Sequence, residues 1–192
     1  MNQHPEENRK DLQPTDPELM VRVADGDEVA FEILVRRHED AVFRLASRIL
    51  GGNREDAKDV AQEVFISIWD NPKAWKPKAL FTTWLYRVTT NRALNKRRSR
   101  RLKSIFSLSD YEGDEIPDLN EEEAPDINIE KAEEQREFIR QFNKLPPRQR
   151  AALHLKYREE LSVAEVAEVL KTSIKSVESL LYRAKQTLRA GK

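Results

Sequence analysis

Apolar residues recur along this chain at intervals of three and four, which is the spacing of an amphipathic helix. The longest stripe lies between Asp27, a predicted N-cap, and the stop signal Gly51–Gly52. Its members are Phe31, Leu34, Val35, His38, Val42, Leu45, Ala46 and Ile49. No segment alternates apolar and polar residues as a strand would. The pattern therefore predicts an all-α protein.

Three further helices are predicted in the first half. Asp16, as N-cap before Pro17, opens a short helix, and Asn53 caps a longer one that stops at Asn71–Pro72. The inward residues expected of that longer helix are Ala57, Val60, Ala61, Val64, Phe65, Ile68 and Trp69. A fourth helix starts at Phe81, in FTTWLYRVTTNRALNKRRSRR, where the apolar stripe Phe81, Trp84, Leu85, Val88 ends before the helix-compatible sequence does.

The second half predicts helices over about 129–145, 147–159, 163–171 and 174–189. Ser162 and Glu165 form a capping box, and Ser173 caps the last helix after a short turn. Two short helices with a basic second member are typical of a helix-turn-helix, although an ordinary helical hairpin is the alternative. We expect Ile174, Val177, Leu181, Ala184 and Leu188 to face inward. The opposite face could bond base edges and phosphates or could simply be solvated; it carries Lys175, Ser176, Ser179, Tyr182, Arg183 and Gln186.

Charge divides the chain further, although the formal net charge of the 192 residues is zero. Residues 81–103 hold eight basic residues and no acids, whereas residues 104–130 hold ten acids and no bases. The acidic stretch predicts a flexible linker, either a solvated spacer or a segment that imitates nucleic acid charge. We therefore divide the chain into a disordered tail (1–15), a helical domain (16–103), an acidic linker (104–132) and a second helical domain (133–192).

The basic helix favours nucleic acid binding, because a free surface seldom lacks every acid. Arg87, Asn91 and Arg98 share one sector of it. Tyr86, or Trp75 in the preceding loop, could stack on an unpaired base, with packing as the alternative for each.

Composition argues against catalysis. His4, His38 and His154 are scattered, there is no cysteine, and no nucleophile or phosphate-loop motif occurs, so we expect no enzyme activity, no cofactor and no metal. No apolar run approaches the roughly 18 residues of a membrane span, and the polar start is unlike a signal peptide. The expected location is the cytoplasm.

Three motifs together resemble conserved regions 2 and 4 of the sigma-70 family, specifically its small extracytoplasmic-function (ECF) group. They are EDAKDVAQEVFISIWDNPKAW (55–75), FTTWLYRVTTNRALNKRR (81–98) and the segment from Leu145 to Arg189. The resemblance implies a bacterial transcription initiation factor that binds core RNA polymerase, recognises the −35 and −10 promoter elements and helps to melt the −10 region.

The resemblance also assigns residues. Contacts to the β′ clamp helices of the polymerase would come from Asp56, Asp59, Gln62 and Glu63. Contacts to the −10 element would come from Lys76, Lys78, Trp84, Arg87, Asn91, Arg92, Asn95 and Arg98. Contacts to the −35 element would come from Ser173, Lys175, Ser176, Ser179, Tyr182, Arg183 and Gln186, and the same domain would engage the β-flap tip.

The family further implies an anti-sigma factor, which could hold the protein at a membrane without inserting it. Two positions depart from the family pattern. Lys171 replaces a frequent glycine, which favours a turn of another type, and Leu180 replaces a frequent arginine. A regulator that binds duplex operator DNA without polymerase, and a helical adaptor, are the alternative functions.

Overall fold

A computed structural model describes residues 14–78, 80–106 and 129–190, and in these ranges the chain forms α-helices and one 3-10 turn, with no strand. The all-α prediction is confirmed. The helices are α1 (Asp16–Ala24), α2 (Glu28–Leu50), α3 (Arg54–Asp70), α4 (Phe81–Phe106), α5 (Ile129–Lys144), α6 (Pro147–Tyr157), α7 (Val163–Val169) and α8 (Ile174–Ala190). The 3-10 turn, Pro72–Ala74, lies between α3 and α4.

Most of the predicted helix boundaries are confirmed by capping contacts. Asp27 accepts a hydrogen bond from the amide of Ala30 (3.0 Å), and Asn53 accepts one from Asp56 (2.8 Å). Gly51 ends α2 in the left-handed conformation, with φ of 77°.

The predicted N-cap of α1 is wrong by one residue. Thr15 is the N-cap, and its amide and hydroxyl both donate to the Glu18 carboxylate, at 2.7 and 2.9 Å. Asp16 is instead the first helical residue, because its carboxylate binds α2: Oδ2 lies 2.9 Å from His38 Nε2 and Oδ1 lies 2.6 Å from Arg37 Nη1.

The first domain is built around α2, which contacts α1, α3 and α4. The predicted stripes of these helices form its core, except at the end of α3. Trp69 was expected to face inward but is 36% exposed; it packs against the half-buried Phe31, with ring centroids 5.1 Å apart. The helix therefore turns its last apolar residue partly to solvent.

The second domain comprises α5 to α8, and α7 and α8 form the predicted helix-turn-helix. The Ser162–Glu165 capping box is present, and Ser173 accepts from the Ser176 amide at 3.2 Å. Lys171 adopts φ of 47°, so the inference of another turn type was wrong. Ile174 was predicted to face inward but is 51% exposed, and the buried stripe of α8 begins at Val177.

The two domains pack against each other, which the sequence did not predict. Helix α6 contacts α2, and α7 contacts α4. Arg150 of α6 is fully buried and reaches across this interface, donating from Nη2 to the carbonyl oxygen of Ile49 at the end of α2 (2.6 Å). Its Nη1 donates to Asn143 in its own domain, also at 2.6 Å.

The predicted acidic linker lies mostly outside the described residues. Helix α4 continues three residues past the expected boundary, to Phe106, and α5 begins at Ile129. In the described part of the chain, no helix is long and apolar enough to cross a membrane.

Candidate functional site

Helix α4 has three faces: one contacts α3, one is exposed to solvent, and one contacts the second domain. The first consists of Arg92, Lys96 and Arg100, which are four residues apart and therefore lie on one side of the helix. This side faces α3. Arg92 Nη1 lies 3.1 Å from Glu63, Lys96 Nζ lies 3.0 Å from Asp59 and 3.7 Å from Asp56, and Arg100 Nη1 lies 3.2 Å from Asp56.

These pairs are partly exposed, so each contributes about 1 kcal/mol or less to stability. Their main effect is that the charges of the two helices neutralise each other. The hydrogen bond to Asp59, together with the nearby Asp56 and Glu63 carboxylates, raises the pKa of Lys96. The α3 carboxylates predicted to meet the polymerase are thus already paired within the chain, as is Arg92, which was predicted to meet the −10 element.

The second face of α4 points to solvent. Arg87, Asn91, Asn95 and Arg98 follow one another at intervals of four, four and three residues, and so form a continuous stripe. Asn91, Asn95 and Arg98 are exposed, and Arg87 is half-buried. The stripe offers amide and guanidinium groups, which bind base edges and phosphates.

The loop before α4 is anchored by aromatic packing. Trp75 is buried, and its ring meets Phe81 edge-on with centroids 6.0 Å apart. Trp84 is also buried, with 6% of its surface exposed, and its ring packs against Phe81. It therefore belongs to the core that holds α4 in place. Lys76 and Lys78 remain exposed on this anchored loop.

The third face of α4 is covered by the second domain. It carries Thr83, Tyr86 and Thr90, spaced three and four residues apart, and all three are buried. The Tyr86 hydroxyl donates to Glu159 Oε2 (2.5 Å), and Glu159 Oε1 lies 3.1 Å from His154 Nε2. Burial, reinforced by the Glu159 carboxylate, raises the pKa of Tyr86, so the phenol stays protonated and can donate.

Helix α3 has an outward stripe of its own. Gln62, Ile66 and Trp69 lie on this side, with Asp59 at its edge, whereas Asp56 and Glu63 turn toward α4. Ile66 is 49% exposed, and together with Glu28, Phe31 and Trp69 it lines a shallow groove of about 370 Å³. The sequence reasoning missed this apolar groove because it assigned Trp69 to the core; the exposed position of Ile66 was the available signal.

The predicted polar face of α8 is confirmed as an exposed surface. Every residue assigned to −35 recognition is exposed: Ser173, Lys175, Ser176, Ser179, Tyr182, Arg183 and Gln186. Val177, Leu181 and Ala184 are buried on the opposite side. The buried side of the helix therefore packs on its domain, and the side that carries hydroxyl, amide and cationic groups is exposed to solvent.

Arg148, at the start of α6, is a residue of this surface that the sequence reasoning missed. Its Nη2 donates to the carbonyl oxygen of Leu170 (2.8 Å), which fixes the guanidinium beside the turn of the helix-turn-helix. With Lys175, Ser176, Ser179 and Arg183 it lines a groove of about 360 Å³. A cation in the first turn of the helix predicted over 147–159 was the available signal.

Among the residues described, no three His, Asp or Glu side chains are placed to hold a metal ion. Two family models match the chain. The model for sigma-70 region 2 matches residues 34–103, and the model for sigma-70 region 4 matches residues 135–188. The fold and the helix-turn-helix surface thus belong to a sigma factor, a transcription initiation factor and not an enzyme.

Curated relatives define the group more narrowly. The ECF RNA polymerase sigma factor SigE of Mycolicibacterium smegmatis is 35% identical over 93% of this chain and 69% of its own length. The ECF RNA polymerase sigma-E factor of Escherichia coli is 32% identical over 92% and 93% of the two chains. The chain belongs to the ECF group of the sigma-70 family.

Solved structures agree with the fold. CnrH, in complex with the cytosolic domain of CnrY, matches with a TM-score of 0.61 and 27% identity, over 91% of this chain and 95% of its own. RpoE of Bartonella quintana, in complex with the anti-sigma factor NepR, matches with a TM-score of 0.70 and 17% identity, over 84% and 95%.

Proposed function

We propose that this sigma factor binds core RNA polymerase, recognises −35 and −10 promoter elements through its second and first domains respectively, and promotes melting of the −10 region. The observation that carries the proposal is the exposed polar face of α8, set in a helix-turn-helix whose opposite side is buried. Such a helix can enter a major groove without disturbing its own domain.

In recognition of the −35 element, some residues would bind phosphates and position the helix, and others would contact the bases and read the sequence. Lys175, Arg183 and Arg148 are suited to phosphates, because their charges flank the groove. Ser176, Ser179 and Gln186 are suited to base edges. Leu180, half-buried in the same groove, offers only an apolar contact where the family often has a cation.

Recognition of the −10 element would use the solvent-facing stripe of α4 with Lys76 and Lys78 of the preceding loop. The support is the exposure of Asn91, Asn95 and Arg98 on one side of a helix anchored in the core. Trp84 would act indirectly by holding that helix in place, because it is buried. Arg92 would act mainly by neutralising Glu63.

The polymerase would meet the outward stripe of α3. Gln62 and Asp59 supply polar groups, and Ile66 and Trp69 supply the apolar area that gives an interface most of its affinity. Asp56 and Glu63 would hold α4 against α3 as well as face the partner. The contact of the second domain with the β-flap tip follows from the family alone.

Control by an anti-sigma factor in the bacterial cytoplasm completes the proposal. Its support is the family and the two solved structures above, in which CnrH is bound to the cytosolic domain of CnrY and the sigma factor RpoE is bound to the anti-sigma factor NepR. Such a factor would also retain the protein at a membrane without inserting it.

Run-off transcription with core polymerase on a pool of genomic fragments tests the function and yields the promoter. We expect specific transcripts that require the protein. Tight binding to promoter duplex without any association with core polymerase would contradict the proposal and favour a duplex-binding regulator. The control is the variant Ser179→Glu, which adds a carboxylate to the α8 face and should abolish the transcripts without unfolding the exposed surface.

A further inference from the structure

Helix α8 carries a single acid among its exposed residues. Its 17 residues include four cations, Lys175, Arg183, Lys185 and Arg189, and one carboxylate, Glu178. All five of these side chains are exposed. The sequence reasoning assigned no role to Glu178, although α8 is the helix proposed to meet DNA. DNA is a polyanion and repels a carboxylate, so this position is unfavourable unless the acid has a partner of its own.

Glu178 lies at one edge of the surface proposed to read the −35 element. It follows Lys175 by three residues and precedes Tyr182 by four, so these two exposed side chains are its neighbours on the helix surface. The opposite edge carries Leu180, which lines the basic groove beside Arg148. The two edges of the recognition surface therefore differ: one is basic, and the other offers an acceptor next to a cation.

No contact within the described part of the chain accounts for Glu178. Among these residues, no hydrogen bond or ion pair involves its side chain. It is the fifth residue of α8, past the first turn in which an acid stabilises a helix through the dipole. Glu165 of α7, by contrast, completes the capping box with Ser162. The Glu178 carboxylate is therefore available to accept hydrogen bonds from another molecule.

A recognition helix brings both of its edges close to the DNA. With its side chains an α-helix is about 10–12 Å across, and the major groove is about 12 Å wide, so little clearance remains on either side. Glu178 lies in the N-terminal half of α8, and the N-terminal residues of a recognition helix are the ones that contact base edges. The carboxylate would thus lie near base edges or near a phosphate, and a phosphate would repel it.

The chemistry of a carboxylate discriminates among the four bases, because it has only acceptor oxygens. In the major groove, guanine presents the acceptors N7 and O6, and thymine presents the acceptor O4 and a methyl group. Adenine presents the acceptor N7 beside its N6 amino group, whereas cytosine presents only its N4 amino group. Cytosine is therefore the base that a carboxylate can bind without facing an acceptor of the same base.

We propose that Glu178 is a specificity-determining residue, whose carboxylate accepts a hydrogen bond from the N4 amino group of one cytosine in the −35 element and disfavours guanine and thymine there. The proposal rests on the proposed function and deepens it, because it adds a base contact from a residue outside the polar set already assigned. Lys175, beside Glu178 on the helix, offsets the repulsion between the carboxylate and nearby phosphates.

The base preference of the complex with core polymerase tests this role. The promoter found by run-off transcription, with its −35 element randomised, is incubated with core polymerase and the full chain, and the bound templates are sequenced. For wild type we expect one position at which cytosine is favoured over guanine and thymine at least about fivefold. Glu178→Ala should bring that ratio close to one without altering the other positions. Glu168→Ala, which removes an exposed acid from α7, is the matched control and should keep the wild-type preference.

Glu178→Gln is the second variant, and it serves if Glu178→Ala lacks the helical circular dichroism of the wild type. Its amide offers a donor and an acceptor, the combination that binds adenine at N6 and N7. The preference should therefore move from cytosine to adenine at the same position. A merely structural role of Glu178 would not produce this change of base.

Two results would overturn the proposal. One is a wild-type profile with no position selective for cytosine. The other is tighter binding of both variants to all templates with an unchanged profile, because Glu178 would then only repel phosphates. Failure of the proposed function is distinguishable from both, since the wild type would then give no specific transcript and select no base at any −35 position.

Discussion

The Nη2 atom of Arg150 lies 2.6 Å from the carbonyl oxygen of Ile49, so a fully buried arginine of the second domain caps the C-terminal end of α2 in the first. The last carbonyls of a helix have no partner within it and carry partial negative charge. A guanidinium is well suited to this position, because its second terminal nitrogen, Nη1, also donates to the Asn143 carbonyl oxygen (2.6 Å).

Arg150→Lys should therefore destabilise the protein. Lysine keeps the charge but cannot reach both carbonyls with fixed geometry, so we expect the free energy of unfolding to fall by about 1–3 kcal/mol in urea denaturation. Arg189→Lys, an exposed change in the last turn of α8, should stay within about 0.5 kcal/mol of wild type. An equal stability of the two variants would show that the contact contributes nothing.

Lys171→Gly should stabilise the protein. Lys171 has φ of 47°, a left-handed conformation that glycine adopts without steric cost, so we expect a gain of about 0.5–1 kcal/mol in thermal or urea unfolding. Glu178→Gly is the matched control, because Glu178 is exposed in the interior of α8 and glycine there should cost about 1 kcal/mol. A loss of stability in both variants would contradict the assignment of the turn.

These two residues also show what the sequence could predict. The helices, their caps and the exposed face of α8 followed from local signals such as Ser162, Glu165 and Ser173, because capping and periodicity act within a few residues. Lys171 departs from the glycine frequent in the family, and we therefore expected a turn of another type; the lysine instead adopts the left-handed conformation itself. Contacts between distant segments leave no periodic signal.

The same limit applies to contacts between helices. Asp56 and Glu63 were predicted to contact the polymerase, and nothing in their spacing indicated that Lys96 and Arg100 would lie against Asp56, or Arg92 against Glu63. Arg150 looked like one more cation in a basic segment, although it is fully buried at the domain interface. Net charge and spacing describe one helix at a time, whereas these pairings depend on which helices meet.

Association with the polymerase should depend on the outward stripe of α3. Asp59→Ala with Gln62→Ala, or Ile66→Ala with Trp69→Ala, should weaken binding of the full chain to core polymerase at least about tenfold, because each pair removes groups from the proposed interface. Glu39→Ala, an exposed acid on α2, is the control. Binding measured by fluorescence anisotropy that is unaltered in both double variants would exclude this stripe.

Promoter melting should depend on the solvent-facing stripe of α4 more than on its α3-facing stripe. Arg87→Ala with Asn91→Ala should reduce permanganate reactivity of the −10 region with little effect on core binding. Arg92→Ala should instead affect both, because it leaves Glu63 without its 3.1 Å partner. Wild-type reactivity in the Arg87/Asn91 variant would place the −10 contacts elsewhere.

Stability in acid should depend on Asp16. Burial favours its neutral form, but hydrogen bonds from His38 and Arg37 outweigh burial and lower the pKa of Asp16 from its usual 3.8. A lowered pKa means that the carboxylate's contribution is complete above about pH 4 and is lost as the pH falls through the folded-state value. Asp16→Asn should therefore lower the free energy of unfolding at pH 7 by about 1–3 kcal/mol, and the difference from wild type should shrink toward zero near pH 2. Urea denaturation at several pH values checks this, with the exposed Glu39→Gln as control; a difference independent of pH would mean that the charge of Asp16 does not matter.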